Sequence, residues 1–305
     1  MMEDPSGNVP VAVRHDLLDD MEIDDNVAAC ELTTTCSYVS GAVYRDLLLN
    51  RLGKADSGQH ETDFPPRSKF VSAIPHGTSF WTRTVRVNIE LADGSTQANF
   101  LKIGNAEISR NMVRSEFEGV NAIYAIVPDF VPRPIGWGTY KADQNKHFYM
   151  SEFIPMREEL PDPQVFCAKL AQLHRDSISL SPNGKFGFHV ATYAGNMPQD
   201  VTWCDTWEES FSRGLRGFAE QEKNACGPSE DLDRLLPQLF EKVIPRLLRP
   251  LQMGGRKLKP VLIHGDLWYG NIATNGNTGA PIAFDPAVLW AHNECRSLKV
   301  SLCND

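Results

Sequence analysis

The run Val261-Leu262-Ile263-His264-Gly265-Asp266-Leu267-Trp268-Tyr269-Gly270-Asn271 constrains this chain more than any other segment. Three apolar residues read as a short buried strand. They deliver a His, an Asp two positions later and an Asn five beyond that Asp. Turns favour Asp and Asn in any protein. Here, however, a second apolar strand, Ile282-Ala283-Phe284, ends on Asp285-Pro286, nineteen residues after Asp266. A strand, a loop and a further strand give both carboxylates one rigid base.

Around this point the chain changes character once. Residues 1–34 are rich in Asp and weakly patterned, and are expected to form a mobile acidic tail. A short helical stripe near residues 41–52 ends at Gly53. Strands then dominate. Val85, Val87, Ile89 and Leu91 alternate with polar residues, Ala92-Asp93-Gly94-Ser95 supplies a turn, and residues 97–103 return. A helix is expected over about 109–126 on Met112, Val113, Val120 and Ile123, and another strand over 147–154. Beyond Pro155 the period is helical. Asp162-Pro163 starts one helix, and Trp207, Phe211, Leu215 and Phe218 stripe a second. A third, over 232–251, should be kinked or divided by Pro237 and Pro245. The expectation is an α+β chain of two lobes, 35–155 and 156–305, with short strands returning at 261–264, 271–274 and 282–285.

The residue types at the constrained run explain themselves as phosphoryl-transfer chemistry. His, any residue, Asp, Leu, three residues and Asn is the order of a kinase catalytic loop. In such a loop one carboxylate accepts the proton of an attacking hydroxyl, while an amide oxygen and a second carboxylate hold magnesium on the phosphates. Asp266 is therefore the candidate base, and Asn271 and Asp285 the candidate metal ligands. His264 is read as a brace for the loop. The first lobe should then provide a Lys and Glu pair to anchor the α- and β-phosphates. Glu116 lies on the apolar stripe of its helix, where a carboxylate is unwelcome unless paired. Lys102, in Phe100-Leu101-Lys102-Ile103, is its natural partner, and Glu118 serves if the helix is rotated. Gly77, Thr78 and Ser79 are candidates for a phosphate-contacting turn. Glu152 and Phe153 fall at an interlobe hinge that could meet the adenine of ATP. Trp203, Trp207, Trp268 and Trp290 are each read as core, except Trp268, which lies inside the catalytic loop and could face a sugar.

A net charge of −9 argues against a nucleic-acid or anionic-membrane partner. Seven scattered cysteines without close metal-type spacing read as reduced thiols. With no signal-type start and no spanning apolar run, the expected compartment is the cytoplasm.

His264 to Asn271, Phe284-Asp285-Pro286-Ala287 and His292-Asn293-Glu294 resemble the fructosamine kinases, also called ketosamine 3-kinases or protein-ribulosamine 3-kinases. So do Gly77-Thr78-Ser79-Phe80-Trp81, Phe100-Leu101-Lys102, Phe117-Glu118-Gly119 and Ser181-Pro182-Asn183-Gly184-Lys185-Phe186-Gly187-Phe188. The likeness runs from about Tyr44 to Glu294, and wording such as Pro161-Asp162-Pro163 is similar to fungal members. The resemblance implies a protein-kinase-like fold of the aminoglycoside-phosphotransferase branch. It also implies ATP and Mg2+, and phosphate transfer to the 3-hydroxyl of a ketosamine on a lysine, after which the sugar is shed. Trp268, His292 and Glu294 become candidate substrate contacts. Alternatives are a kinase for another hydroxyl, aminoglycoside-like or choline-like, and an inactive nucleotide binder. Residues 295–305 depart from the family's wording, so the helical lobe is expected to be incomplete through truncation. Apolar surface would then be left open on helices 163–175 and 232–251.

Overall fold

The computed structural model describes residues 67–295 apart from 78, 80, 141, 142 and 158. The acidic tail, the stripe at 41–52 and Thr78 lie outside the described residues.

The first lobe is an antiparallel sheet of five strands. They are β1 (Lys69–Pro75), β2 (Arg83–Glu90), β3 (Thr96–Asn105), β4 (Pro134–Thr139) and β5 (Lys146–Glu152), in the order β1-β2-β3-β5-β4. Alternation explains the central strands. Val85, Val87 and Ile89 of β2 point into one small core with Leu101, Phe148 and Met150, while Arg86 and Asn88 face outward. Between β3 and β4 runs helix α1 (Ala106–Tyr124), which buries Val113, Phe117, Val120 and Ile123, a helical repeat.

The chain enters the second lobe through β6 (Met156–Arg157) and α2 (Pro163–Asp176). The Asp162 carboxylate caps α2 by accepting from the N–H groups of Gln164 and Val165, at 2.9 and 3.0 Å. A small hairpin, β7 (Tyr193–Ala194) and β8 (Met197–Pro198), precedes α3 (Trp207–Cys226). The expected third helix is divided: α4 (Glu230–Gln238), a π turn at Leu239–Val243, α5 (Ile244–Leu248) and a 3-10 turn at Arg249–Gln252. Pro237 and Pro245 each remove one N–H from the helical ladder, and the hydrogen bonding is rewritten between them. The late strands are β9 (Val261–Ile263), β10 (Ile272–Asn275), β11 (Pro281–Ala283) and β12 (Leu289–Ala291). β10 pairs with β11 and β6, and β12 with β9.

One core cluster joins the lobes. Val113, Phe117, Val120 and Ile123 of α1 pack with Leu173, Phe188, Leu262, Ala283, Val288 and Trp290. The helix bearing Glu116 is thereby fixed against the strands bearing Asp266 and Asp285. On α2 and the divided helix, Val165, Leu235, Val243 and Leu247 are open to solvent. Cys167, Cys204 and Cys295 form no disulfide, but Cys226 is disulfide-bonded, which corrects the reading of seven reduced thiols.

Candidate active site

His264 leaves β9 with its side chain buried. Its Nε2–H donates to the Phe284 carbonyl at 3.0 Å, and its Nδ1 accepts the Asp266 N–H at 3.4 Å, which fixes the tautomer. Burial pushes its pKa down to about 4, against smaller opposing effects of the Phe284 carbonyl and Asp285. A neutral ring with both nitrogens engaged is a brace rather than a proton carrier. Gly265 follows with φ of +80°, and a Cβ there would run into the Ala287 carbonyl oxygen. Only glycine allows the catalytic loop to lie this close to the turn after Asp285.

Asp266 and Asn271 are both buried. The Asn271 Nδ2 group donates to the Asp266 carbonyl at 2.9 Å and to the Asp266 Oδ2 at 3.1 Å, and reaches the Asp285 carbonyl at 3.5 Å. The amide nitrogen is thus committed to the loop, which leaves Oδ1 as the atom able to meet a cation. Asp285 has φ of +55°, the left-handed region that a non-glycine residue enters only under constraint. The constraint is visible on both sides. Phe284 N–H donates to the Asn271 carbonyl at 3.1 Å, and Ala287 N–H to the His264 carbonyl at 2.9 Å.

Lys102 reaches this turn from β3. Its Nζ lies 2.9 Å from Glu116 Oε1 and 2.5 Å from Asp285 Oδ1. Burial by itself lowers the lysine pKa, but the two carboxylates together outweigh it and raise it. The Glu116 pKa is raised instead, because burial and the nearby Asp285 exceed what its share of Lys102 returns. One cation thus serves two carboxylates, and the shorter contact goes to Asp285. Glu118, the fallback partner, faces His189 at 3.2 Å and is not at the cluster.

The nucleotide side is less fully assembled. Gly77 turns at φ of +75°. Ser79 Oγ accepts from the N–H groups of Trp81 and Thr82, at 3.3 and 3.2 Å, so it shapes its own loop. At the hinge, Glu152 N–H donates to the Arg133 carbonyl and Phe153 N–H to the Ala98 carbonyl. Both donors are engaged within the lobe, and the Glu152 side chain lies 3.8 Å from Arg133. Sequence reasoning missed what surrounds Phe153. The Arg86 guanidinium lies 4.5 Å over its ring and His76 meets it edge-on at 4.8 Å. Arg86 is an outward strand residue, and nothing in the alternation separates it from a solvated one.

Of the tryptophans, Trp207 and Trp290 are buried, whereas Trp268 is 45% exposed. The Trp268 ring packs edge-to-face with Tyr269 at 4.8 Å, and a Cβ at Gly270 would stand 2.5 Å from it. His292 and Glu294 lie on the turn after β12. His292 stacks on Trp207, and its Nδ1 accepts the Glu294 N–H at 3.1 Å. A small, half-open recess has Trp207, Phe211, Gly265 and Gln199 among its lining residues.

A strand-rich lobe with a Lys–Glu pair, over a helical lobe whose strands present Asp, Asn and Asp, is the two-lobed kinase-like fold. A Thermobifida fusca crystal structure assigned as a fructosamine-3-kinase shares this fold, with TM-score 0.56 and 23% identity over 74% of this chain and 71% of that one. A profile of the fructosamine kinase family matches residues 78–302, and the chain belongs to that family. The match continues past Glu294, where the resemblance had been taken to end. The chloroplastic protein-ribulosamine 3-kinase of Oryza sativa subsp. japonica is 31% identical over 198 residues, 65% of this chain and 54% of the rice protein. The ketosamine-3-kinase of Mus musculus is 28% identical over 216 residues, 64% of this chain and 66% of the mouse protein. The chain thus spans between about half and two thirds of the length of these relatives. Among the described residues no helix is long and apolar enough to cross a membrane.

Proposed function

We propose that this chain is an ATP- and Mg2+-dependent kinase that phosphorylates the 3-hydroxyl of ketosamines, ribulosamine or fructosamine, on protein lysines in the cytoplasm, where ATP is supplied. The observation that supports it most is the convergence of Lys102, Glu116 and Asp285 from three separate elements, beside the Asp266–Asn271 pair. Membership of the fructosamine kinase family supports the acceptor class.

In this reading Asp266 accepts the proton of the 3-hydroxyl as its oxygen attacks the γ-phosphorus and the bond to the β-phosphate oxygen breaks. Lys102, held by Glu116, meets the α- and β-phosphates. Asn271 Oδ1 and the Asp285 carboxylate would hold Mg2+, which when bound would neutralise charge on the phosphates. Oxygen ligands suit this ion, and two protein ligands leave room for phosphate oxygens and water. Gly77, Thr78 and Ser79 would contact the phosphates, and Glu152 and Phe153 would border the base. Trp268, with His292 and Glu294 as further candidates, meets the acceptor. Loss of a C1 proton then expels the 3-phosphate and leaves a C1=N imine. Hydrolysis of that imine by water sheds the sugar as a 3-deoxy dicarbonyl and frees the lysine amine, which amounts to deglycation.

The test is ATP consumption with fructosyl- or ribulosyl-lysine, an aminoglycoside or choline as acceptor, in wild type and Asp266→Asn. Ketosamine-dependent turnover that falls by about 10²–10⁴ in the variant is expected. Turnover on the other acceptors alone, or nucleotide binding without turnover, would overturn the reading.

A further inference from the structure

Gln199 lies outside every motif in the sequence, yet its side chain reaches the turn that follows Asp285. Its Nε2 donates to the Ala287 carbonyl at 3.3 Å. Its backbone N–H closes the base of the β7–β8 hairpin by donating to the Thr192 carbonyl at 2.8 Å. The Ala287 carbonyl is the oxygen that forbids a side chain at Gly265, so Gln199 grips the point where the catalytic loop and the Asp285 turn touch.

The hairpin is itself anchored to α1. His189, shortly before the hairpin, meets Glu118 at 3.2 Å. On its other side the hairpin rests on α3, where Gln221 Nε2 donates to the Pro198 carbonyl at 2.9 Å. α1 also touches the turn directly: a Cβ at Gly119 would lie 3.1 Å from Val288 and 3.4 Å from Pro286. Glu116 and Asp285, the two carboxylates on Lys102, therefore sit on elements joined by close packing at Gly119 and by the hairpin through Gln199.

We propose that Gln199 is a positioning residue that holds the Ala287 carbonyl and thereby sets the Asp285 carboxylate for a divalent cation. The inference rests on the reading of Asp285 as a metal ligand. Asp285 keeps a left-handed backbone without being glycine, so it stays in place only while its neighbours over-determine it. His264 and Asn271 supply grips from the lobe's own loop, Phe130 supplies one from the segment after α1, and Gln199 supplies one from the hairpin. Removing an outer partner of a metal ligand characteristically weakens the metal rather than the fold.

The experiment uses the full chain with Gln199→Met, which keeps length and apolar packing but not the donor, and Gln199→Glu, which sets an oxygen against the Ala287 carbonyl. Binding of a fluorescent ATP analogue is titrated with Mg2+ and with Mn2+ in the absence of acceptor, and thermal midpoints are recorded. The expected result is a metal midpoint raised about tenfold in Gln199→Met and at least as much in Gln199→Glu. Metal-free nucleotide binding and thermal midpoints should stay close to wild type. Unchanged metal midpoints in both variants would overturn the proposal. So would an equal loss of metal-free and metal-dependent binding, which is the mark of a general structural role. Because no acceptor is present, a wild type that shows metal-dependent nucleotide binding but no ketosamine turnover would sink the substrate reading and leave this test standing.

Discussion

The strands under the cleft and the divided helix beside them bury apolar side chains to different depths. Leu262, Ile282 and Val288 are 0, 2 and 0% exposed, whereas Leu235, Val243 and Leu247 stand 48, 43 and 63% exposed. β9, β11 and β12 are three residues each, too short to hold themselves. Their positions are set by cross-links between chain segments far apart in sequence: Ala283 to Phe130, Phe284 to Asn271 and Ala287 to His264. The helical run satisfies its backbone internally and contributes one amphipathic face, and its register matters less. The difference teaches where rigidity is concentrated. Atoms that must sit together to within a fraction of an ångström lie on the densely tied strands, and the helices behind them tolerate exposure.

This contrast can be broken most forcefully at Lys102. Replacing it by Ala leaves Glu116 and Asp285 as neighbouring carboxylates without their shared cation. A loss of about 3–5 kcal/mol in denaturant unfolding is expected, together with loss of nucleotide affinity. Next comes the glycine under the catalytic loop. Gly265→Ala should cost about 3 kcal/mol, since the added Cβ meets backbone and φ is +80°. In the same assay Leu247→Ala on the helical run should shift stability by no more than about 0.5 kcal/mol. Equal costs at the two sites would erase the distinction between floor and helices.

The pH dependence sharpens the same point. The His264 pKa is depressed from 6.5 to about 4 in the folded chain, so the unfolded chain binds the extra proton between those values. Its contribution is fully present above pH 6.5 and is lost as pH falls towards 4, by about 3 kcal/mol in all. His264→Gln should flatten the stability profile across that window. A wild type with no slope there would mean that the ring is not held neutral.

The sequence made the candidate catalytic loop legible because His264, Asp266 and Asn271 keep the fixed spacing of a kinase loop. The Lys102–Glu116 pair was legible for a second reason, a charge on an apolar helical stripe that demands a partner. Other parts had no such signal. β1 is an edge strand with a bulge near Phe70 and mixed burial, so its alternation is blurred. β4 carries Pro134 and two glycines, residues that weaken the pattern of a strand. β7 and β8 are two residues each, and Gln199 works through one side-chain bond that no periodicity encodes. The end of α4 was legible as an interruption at the prolines, but the π turn that accommodates it was not.

The account stands or falls on whether the Asp266–Asn271–Asp285 cluster transfers phosphate to a ketosamine. The most direct measurement is mass spectrometry of a ribulosyl- or fructosyl-lysine peptide incubated with ATP, Mg2+ and either the wild-type chain or Asp266→Asn. The predicted result is a phosphorylated peptide, followed by free lysine, with wild type, and a rate lower by at least about a hundredfold with the variant. Unmodified ketosamine after incubation with a folded, nucleotide-binding wild type would contradict it, as would equal phosphorylation by the two chains.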